Sequence, residues 1–226
     1  MIGVLVNTLA VIAGSLSGLA LRRGIPEKYT KAAMTGIGLC TLYLGISGSL
    51  KGENAIIAIL CIVLGGLLGT ALNIDGAITR LGDQVEKRTQ GGSRVGEGFV
   101  TASLLFCVGS MTIVGSLNAG LTGDNEMLFA KSVLDLISST MLSVSLGLGV
   151  LLSAVVVLLF QGALVLLAQV LKPILSTPAI AEMTCVGSLL IIALGLNILN
   201  IAKIKVADYL PAILLAPLAV LVQGLF

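Results

Sequence analysis

Long stretches without a charged residue constrain this chain more than any other feature. Charge-free runs cover residues 1–21, 32–50, 54–74, 98–123, 136–171, 173–181, 183–202 and 209–226. A helix needs about 20 mostly apolar residues to cross the hydrocarbon layer of a bilayer. Only 11% of the residues are charged and 57% are hydrophobic, so a soluble enzyme and a disordered chain are both excluded. The runs predict an all-α, polytopic transmembrane helical bundle.

The number of spans depends on the run from 136 to 171. As one helix it would be about 54 Å long, well beyond the hydrocarbon thickness of about 30 Å. Gly147 and Gly149 supply a break within it. We therefore expect one transmembrane domain, 1–226, with eight spans near 1–21, 32–50, 54–74, 98–118, 126–145, 148–171, 183–202 and 208–226.

The basic residues predict the orientation of these spans. With eight spans, ten lysines and arginines fall on one side, whereas only Lys51 and Lys172 fall on the other. If the fifth span does not cross, the split becomes nine against three. The positive-inside rule favours eight crossings with both termini outside. The polar segment 77–94 has apolar residues at helical spacing and predicts an amphipathic helix on the cytoplasmic surface, with a gate or partner site as the alternative.

A short internal repeat is present. Ala33-Met34-Thr35-Gly36-Ile37-Gly38 resembles Glu182-Met183-Thr184-Cys185-Val186-Gly187, about 150 residues later. The two copies begin the second and seventh spans, which are five crossings apart and so run in opposite directions. The match predicts an inverted-topology repeat, with halves 1–75 and 148–226 flanking central spans 98–145, as in many secondary transporters. A chance match between apolar segments is the alternative.

The fourth span predicts a broken helix. Val-Gly-Ser occurs at 108–110 and again at 114–116, so Gly109 and Gly115 weaken the helix. Hydroxyl and amide groups are offered by Ser110, Thr112, Ser116 and Asn118. A broken helix is tolerated in a membrane where it faces protein or a water-filled cavity. It could there hold a cation or an anionic group, while tight helix packing through small residues is the alternative.

The fifth span carries Lys131 and Asp135, which are four residues apart and share a helix face. Asp135 lies about 14 Å after Glu126 along the helix, near the bilayer midplane. A carboxylate there costs roughly 2.5–3.5 kcal/mol on insertion scales. Ser138 and Ser139 follow one turn later. We expect an ion or proton site at Asp135, with a structural Lys–Asp pair as the alternative; Asn197 in the seventh span is a secondary candidate.

Other chemistry is disfavoured by what the chain lacks. It contains no His, and its four cysteines form no CxxC pair, so we expect no metal site and no cofactor. A net charge of +2 gives no basic field for nucleic acid. An intramembrane enzyme would need a Ser–Lys or carboxylate arrangement, for which no nucleophile motif is present. The expected partners are the lipid bilayer and a small solute or ion, and small-residue faces such as Gly14 and Gly18 would also permit a homo-oligomer.

The central motif also points to a family. The segments Thr101–Met111 and Ile113–Leu117, together with Leu72-Asn-Ile-Asp and Leu81-Gly, resemble the YqgA/YdfK family of bacterial multi-pass membrane proteins. The resemblance implies a bacterial inner-membrane location and a polytopic helical fold. It supplies no substrate and no functional residues.

Two functions from different classes remain in view. The repeat, the broken fourth span and Asp135 favour a secondary transporter or channel for a small solute or ion. If the polar groups only hold helices together, the chain is instead a non-transporting structural or regulatory membrane protein.

Overall fold

A computed structural model describes residues 1–22, 27–78, 80, 95–172 and 174–223. In this part of the chain the long elements are all helices. They are α1 (Ile2–Arg22), α2 (Glu27–Ser49), α3 (Ala55–Leu72), α4 (Val95–Cys107), α5 (Ser110–Leu121), α6 (Glu126–Leu146), α7 (Leu148–Leu166), α8 (Ala168–Leu171), α9 (Thr177–Ile198) and α10 (Pro211–Gln223), with a 3-10 helix at Val206–Tyr209. The all-α polytopic bundle predicted from the sequence is confirmed.

These helices coincide with the predicted spans. Six segments are long and apolar enough to cross a membrane, one of them being the 3-10 helix together with α10, and α4 with α5 forms a seventh candidate that is bent by 57° at its break. The span predicted over 32–50 falls in α2, which has 23 residues but is not among these candidates. A count of eight therefore stays a prediction. The amphipathic helix predicted over 77–94 lies almost entirely outside the described residues.

Close helix contacts give the direction in which each helix runs. Gly3 contacts Leu128 and Gly18 contacts Ser143, so α1 and α6 are parallel. Gly147, at the start of α7, lies against Arg22, so α7 runs antiparallel to α1. Gly98 contacts Leu146 and Gly120 contacts Val165, which makes α4 and α5 run alongside α7 in the same direction. We call the two ends of the bundle the Met1 end and the Arg22 end.

The remaining four helices form two antiparallel pairs. In α2 and α9, Gly38 contacts Leu199 while Gly48 contacts Ser188. In α3 and α10, Gly65 contacts Ala212, and Gly69 contacts Asp208 just before α10. Because α9 follows α8 by a short link, it starts at the Met1 end, and α2 and α10 therefore finish there.

The surface of the bundle is apolar. Ile56, Leu67 and Leu159 are each about two-thirds exposed, as are many other large hydrophobic side chains on outer helix faces. Exposure of such a surface to water is unfavourable in free energy, whereas contact with lipid tails is not. The chain is thus a multi-pass membrane protein, with its polar side chains turned inward.

Candidate functional site

A partly open cavity of about 370 Å³ lies at the point where the broken helix meets α2, α6 and α9. Its volume falls within the range of small-ligand pockets. Its polar lining residues are Ser47, Lys51, Thr112, Lys131, Asp135, Ser138, Thr184 and Ser188, and Gly48 and Gly109 also border it. We call this space the polar cavity. It brings together the predicted residues Gly109, Thr112, Lys131, Asp135 and Ser138.

The break between α4 and α5 forms one wall of the polar cavity. Gly109 joins the two helices in an extended conformation, and a methyl group built on it would meet no atom within 4 Å. The Thr112 hydroxyl donates to the Phe106 carbonyl at 2.9 Å, which satisfies a carbonyl that the break removes from the helical ladder. The first amides of α5 start at this wall. The break therefore holds a helix amino terminus beside the cavity, and such a terminus carries partial positive charge.

An ion pair forms the opposite wall. The Lys131 ammonium contacts Asp135 Oδ2, and both side chains are more than nine-tenths buried. Asn7 Nδ2 donates to the same carboxylate oxygen at 3.0 Å. The Lys131 Nζ atom also lies 5.9 Å from the centroid of the Phe106 ring. Two opposite charges at mid-depth are thus held by three helices and border a space that a small molecule could enter.

The hydroxyl groups of α9 line the third wall. Thr184 Oγ1 donates to the Ile180 carbonyl at 2.7 Å, so its lone pairs remain available. Ser188 is 3% exposed and borders the cavity one turn further along the helix. Both residues lie in or just after the second copy of the internal repeat. The cavity therefore presents donors and acceptors from separate helices, as specific recognition of a polar solute requires.

The other predicted site residues lie away from the polar cavity. Gly115 packs on Met127 and Leu128 of α6, and Ser139 packs on Gly14 of α1. The Asn118 carbonyl accepts from the Thr122 hydroxyl at 2.9 Å. Asn197 exchanges two hydrogen bonds with the backbone of Ile204 and closes the loop after α9.

Two more predicted residues belong to α5. Ser116 is fully buried, but it does not line the polar cavity. Ser110 begins the helix, and its side chain is outside the described part of the structure.

The buried polar residues that were not predicted as site candidates include Glu182 and Gln161. Glu182 is 2% exposed, and its Oε1 accepts from the amides of Glu53 and Asn54 at 2.7 Å, which joins α9 to the start of α3. Gln161 on α7 is fully buried. Gln161 could have been identified in the sequence as a polar residue inside an apolar run. Glu182 could have been identified as a carboxylate near the start of a helix.

A second cavity lies on the other side of the break. It has a volume of about 220 Å³ and an almost entirely apolar lining, which comes from α4, α7, α9 and the start of α10. Ile78 and Leu210 place it toward the Arg22 end, whereas Lys51 and Met111 place the polar cavity toward the Met1 end. Val108 borders both cavities. Its side chain rests on Gly187, where an added methyl group would overlap it.

Comparison with known proteins yields a family and two relatives. The family model described as "Protein of unknown function (DUF554)" matches residues 2–221. The uncharacterized membrane protein YdfK of Bacillus subtilis (strain 168) is 35% identical over 230 residues, covering 100% of this chain and 98% of the relative. The uncharacterized protein YqgA of Escherichia coli (strain K12) is 32% identical over 223 residues, covering 95% of this chain and 94% of the relative. No solved structure matches the chain.

Proposed function

We propose that this chain, which belongs to the DUF554 family of membrane proteins, is a secondary transporter or channel for a small polar solute or ion. The observation that carries the proposal is the polar cavity at mid-depth, which is bounded by a broken helix and a buried ion pair. Irregular backbone at membrane depth is tolerated only against protein or an aqueous cavity. An intramembrane ion pair that borders such a cavity is typical of a permeation pathway.

The second cavity supports a pathway through the protein. The polar cavity extends toward the Met1 end and the apolar cavity toward the Arg22 end, with Val108 between them. A solute that moves from one to the other has to pass the break. Because the helical ladder is interrupted at Gly109, where the two helices bend by 57°, the break can move with less cost than an intact helix. In this proposal Val108 on Gly187 is the closed barrier.

The contacts of α2 with α9 support the inverted repeat. The two copies of the motif are 149 positions apart, and an offset of 150 further along the helices makes Gly45 correspond to Gly195, and 42 to 192. Gly45 contacts Ile192, and Gly195 contacts Leu42, which is the same contact with the two copies exchanged. The contact of Gly48 with Ser188 has its counterpart in the contact of Gly38 with Ile198. Any antiparallel helix pair gives reciprocal contacts of this kind, so the support for the repeat comes from the glycine that occupies both equivalent positions, 45 and 195.

A structural role is the second candidate, and it is favoured by the packing of α1 on α6. Gly14 and Gly18 bring the two backbones together, and the hydroxyls of Ser139 and Thr140 bond to the carbonyl of Leu136 in their own helix. These groups need no solute. The polar cavity distinguishes the two candidates, because a purely structural role gives no reason to keep a polar space at mid-depth.

A matched pair of serine variants tests the proposal. Ser138 lines the polar cavity, whereas Ser17 of α1 is exposed on the outer surface. Purified protein is first screened for small metabolites and ions that raise its melting temperature, and hits are then tested for uptake into liposomes. We expect Ser138→Leu to abolish the ligand-induced shift and uptake, while Ser17→Leu retains both. The absence of any hit, or equal behaviour of the two variants, would reject the proposal.

A further inference from the structure

A buried polar layer crosses the part of the bundle that is formed by α1, α5, α6 and α7. On its Met1 side lies an apolar cluster made of one residue from each of these helices, Val4, Ala119, Leu128 and Val165. On its other side lies a larger cluster that contains Val11, Phe106, Leu142 and Val157. We use the term buried polar layer for Asn7, Ser116, Lys131, Asp135 and Gln161, each of which is at most 6% exposed.

The helix register brings these residues to one level. Asn7 lies between Val4 and Val11 of the two clusters, and Gln161 lies four residues from both Val157 and Val165. Residues three or four apart share a helix face. Helix α5 runs toward the Met1 end, and its Ser116 lies three residues before Ala119. Helix α6 runs away from the Met1 end, and its Lys131 lies three residues after Leu128. All four helices therefore offer a polar side chain one turn inward from the same apolar cluster.

Several polar atoms of the layer are left without a partner. Asn7 Oδ1, Ser116 Oγ, Gln161 Oε1 and Gln161 Nε2 are buried and have no hydrogen-bond partner among the described residues. Neighbouring hydroxyls at the same depth are satisfied, since Thr8 bonds to Val4 and Ser132 to Leu128. Both partners of the Asp135 carboxylate share Oδ2. Unpaired amide groups in a dry interior are costly, and both side-chain amides with unpaired buried atoms among the described residues lie in this layer, which indicates a missing ligand.

The chemistry of the unpaired atoms indicates a hard cation. Two amide oxygens, a hydroxyl and a carboxylate are the oxygen ligands that such cations prefer. A single carboxylate supplies one negative charge, which suits a monovalent ion. Among the described residues no group of three or more Cys, Asp or Glu could hold a metal ion, which argues against a divalent or thiophilic metal. Gln161 Nε2 can donate to a water beside the ion.

We propose that the buried polar layer binds a dehydrated monovalent cation, with Na⁺ as the ion of matching chemistry, and that this ion is coupled to solute movement. The coupling rests on the proposed function, whereas the binding site does not. Asp135 belongs to both the layer and the wall of the polar cavity. A cation that engages its carboxylate competes with Lys131, whose ammonium then turns toward the cavity and becomes available to the solute. The carboxyl end of α4, beside Phe106, carries the negative end of a helix dipole and receives part of the added positive charge.

Salt-dependent stability tests the site. The melting temperature of the purified protein is compared in NaCl, LiCl, KCl and choline chloride at one chloride concentration. We expect NaCl to raise it above the value in choline chloride, with an increase that continues as the logarithm of the sodium concentration above half-saturation. Equal melting temperatures in all four salts would overturn the proposal and assign the unpaired atoms to buried water.

Three variants test whether the sodium-dependent rise in melting temperature comes from the buried polar layer. Gln161→Met removes both unpaired amide atoms at similar length, and we expect it to lose the sodium shift while melting no lower than wild type in choline chloride. Ser116→Ala should weaken the apparent sodium affinity about tenfold, which corresponds to about 1.4 kcal/mol. Ser143→Ala is the control, because Ser143 Oγ is also buried without a partner among the described residues but lies outside the layer. A full sodium response in Gln161→Met and Ser116→Ala would place the ion elsewhere and reject the site.

The outcome separates this proposal from the proposed function. Sodium-specific stabilisation without any solute uptake would retain the cation site and reject transport. Solute uptake that is equal in sodium and choline would retain transport and reject the coupling.

Discussion

At the scale of single residues, burial of charge decides how Lys131 and Asp135 behave. Both lie in a low-dielectric interior, and each is tolerated because the other is in contact with it. Removing one partner of such a pair costs more than the pair itself contributes, because the remaining charge is left buried and unpaired. Their spacing of four residues made the pair predictable from the sequence. The third member, Asn7, comes from another helix 128 positions away.

We expect Asp135→Asn to lower the free energy of unfolding by about 3–5 kcal/mol, because it leaves the Lys131 ammonium without a counter-charge. Thermal denaturation of the purified variant measures this loss. The double change of Asp135→Asn with Lys131→Met removes the unpaired charge and should recover most of the stability. We expect it not to recover solute uptake. Wild-type uptake by the double variant would limit the pair to a structural role.

Two glycines of the broken span should respond differently to the same change. A methyl group at Gly109 meets no atom within 4 Å, beside the polar cavity, whereas one at Gly120 would overlap the Val165 carbonyl oxygen. We expect Gly109→Ala to cost at most about 1 kcal/mol, as for other helix N-cap changes, but to reduce uptake. Gly120→Ala should lower the melting temperature by more. Similar melting temperatures for both variants would contradict the described packing around these glycines.

At the scale of elements, the helices follow the charge-free runs, but their ends do not. The sequence predicts a seventh span that begins at 183, after Glu182, whereas α9 begins at Thr177. Ser176 Oγ accepts from the Ala179 amide, and Pro178 suits the first turn. Glu182 can lie inside the helix because the amides before α3 bind its carboxylate. A charged residue marks the end of a span only when no neighbouring helix supplies groups that neutralise or bind it.

The break in the fourth span depends on the Thr112 hydroxyl. We expect Thr112→Val to lower the free energy of unfolding by about 1–3 kcal/mol, because the buried Phe106 carbonyl loses its donor. Thr112→Ser keeps the hydroxyl and serves as the control. Chemical denaturation in detergent micelles measures both variants. Equal stability of the Val and Ser variants would mean that water replaces the hydroxyl and that the break is solvated.

At the scale of the whole molecule, the described basic residues divide between the two ends. At the Arg22 end, the basic residues beside helix termini are Arg22, Lys28, Lys31, Arg80, Lys203 and Lys205, whereas Lys51 and Lys172 lie at the Met1 end. Under the positive-inside rule we expect the Arg22 end to face the cytoplasm, and this orientation stays a prediction. The sequence predicts the same distribution, because these residues lie in or beside short loops. The side on which a short loop lies depends on the order of the spans along the chain and not on which helices pack together.

We expect a reporter fused to the carboxyl terminus to lie outside the cytoplasm, because α10 finishes at the Met1 end. Alkaline phosphatase, which is active only outside, should be active there, and a fluorescent protein that folds only in the cytoplasm should be dark. Fusions after Asp75, at the Arg22 end, should give the reverse pattern and serve as the control. A fluorescent carboxyl-terminal fusion together with a cytoplasmic Asp75 fusion would reject the count of eight spans, whereas inversion of both fusions would reject the orientation.

The sequence by itself determined where the helices lie, where one of them breaks and which pair of charges is buried. Each of these depends on residues close together in the chain: an apolar run against the thickness of a bilayer, a glycine within a span, and two charges one turn apart. Only the tertiary structure decided that Thr184 and Ser188 border the same cavity as Lys131, that Asn197 closes a loop, and that Asn7, Ser116 and Gln161 meet in one layer. Such contacts depend on which helix faces are adjacent and in what register, and in an apolar bundle many faces are equally able to pack.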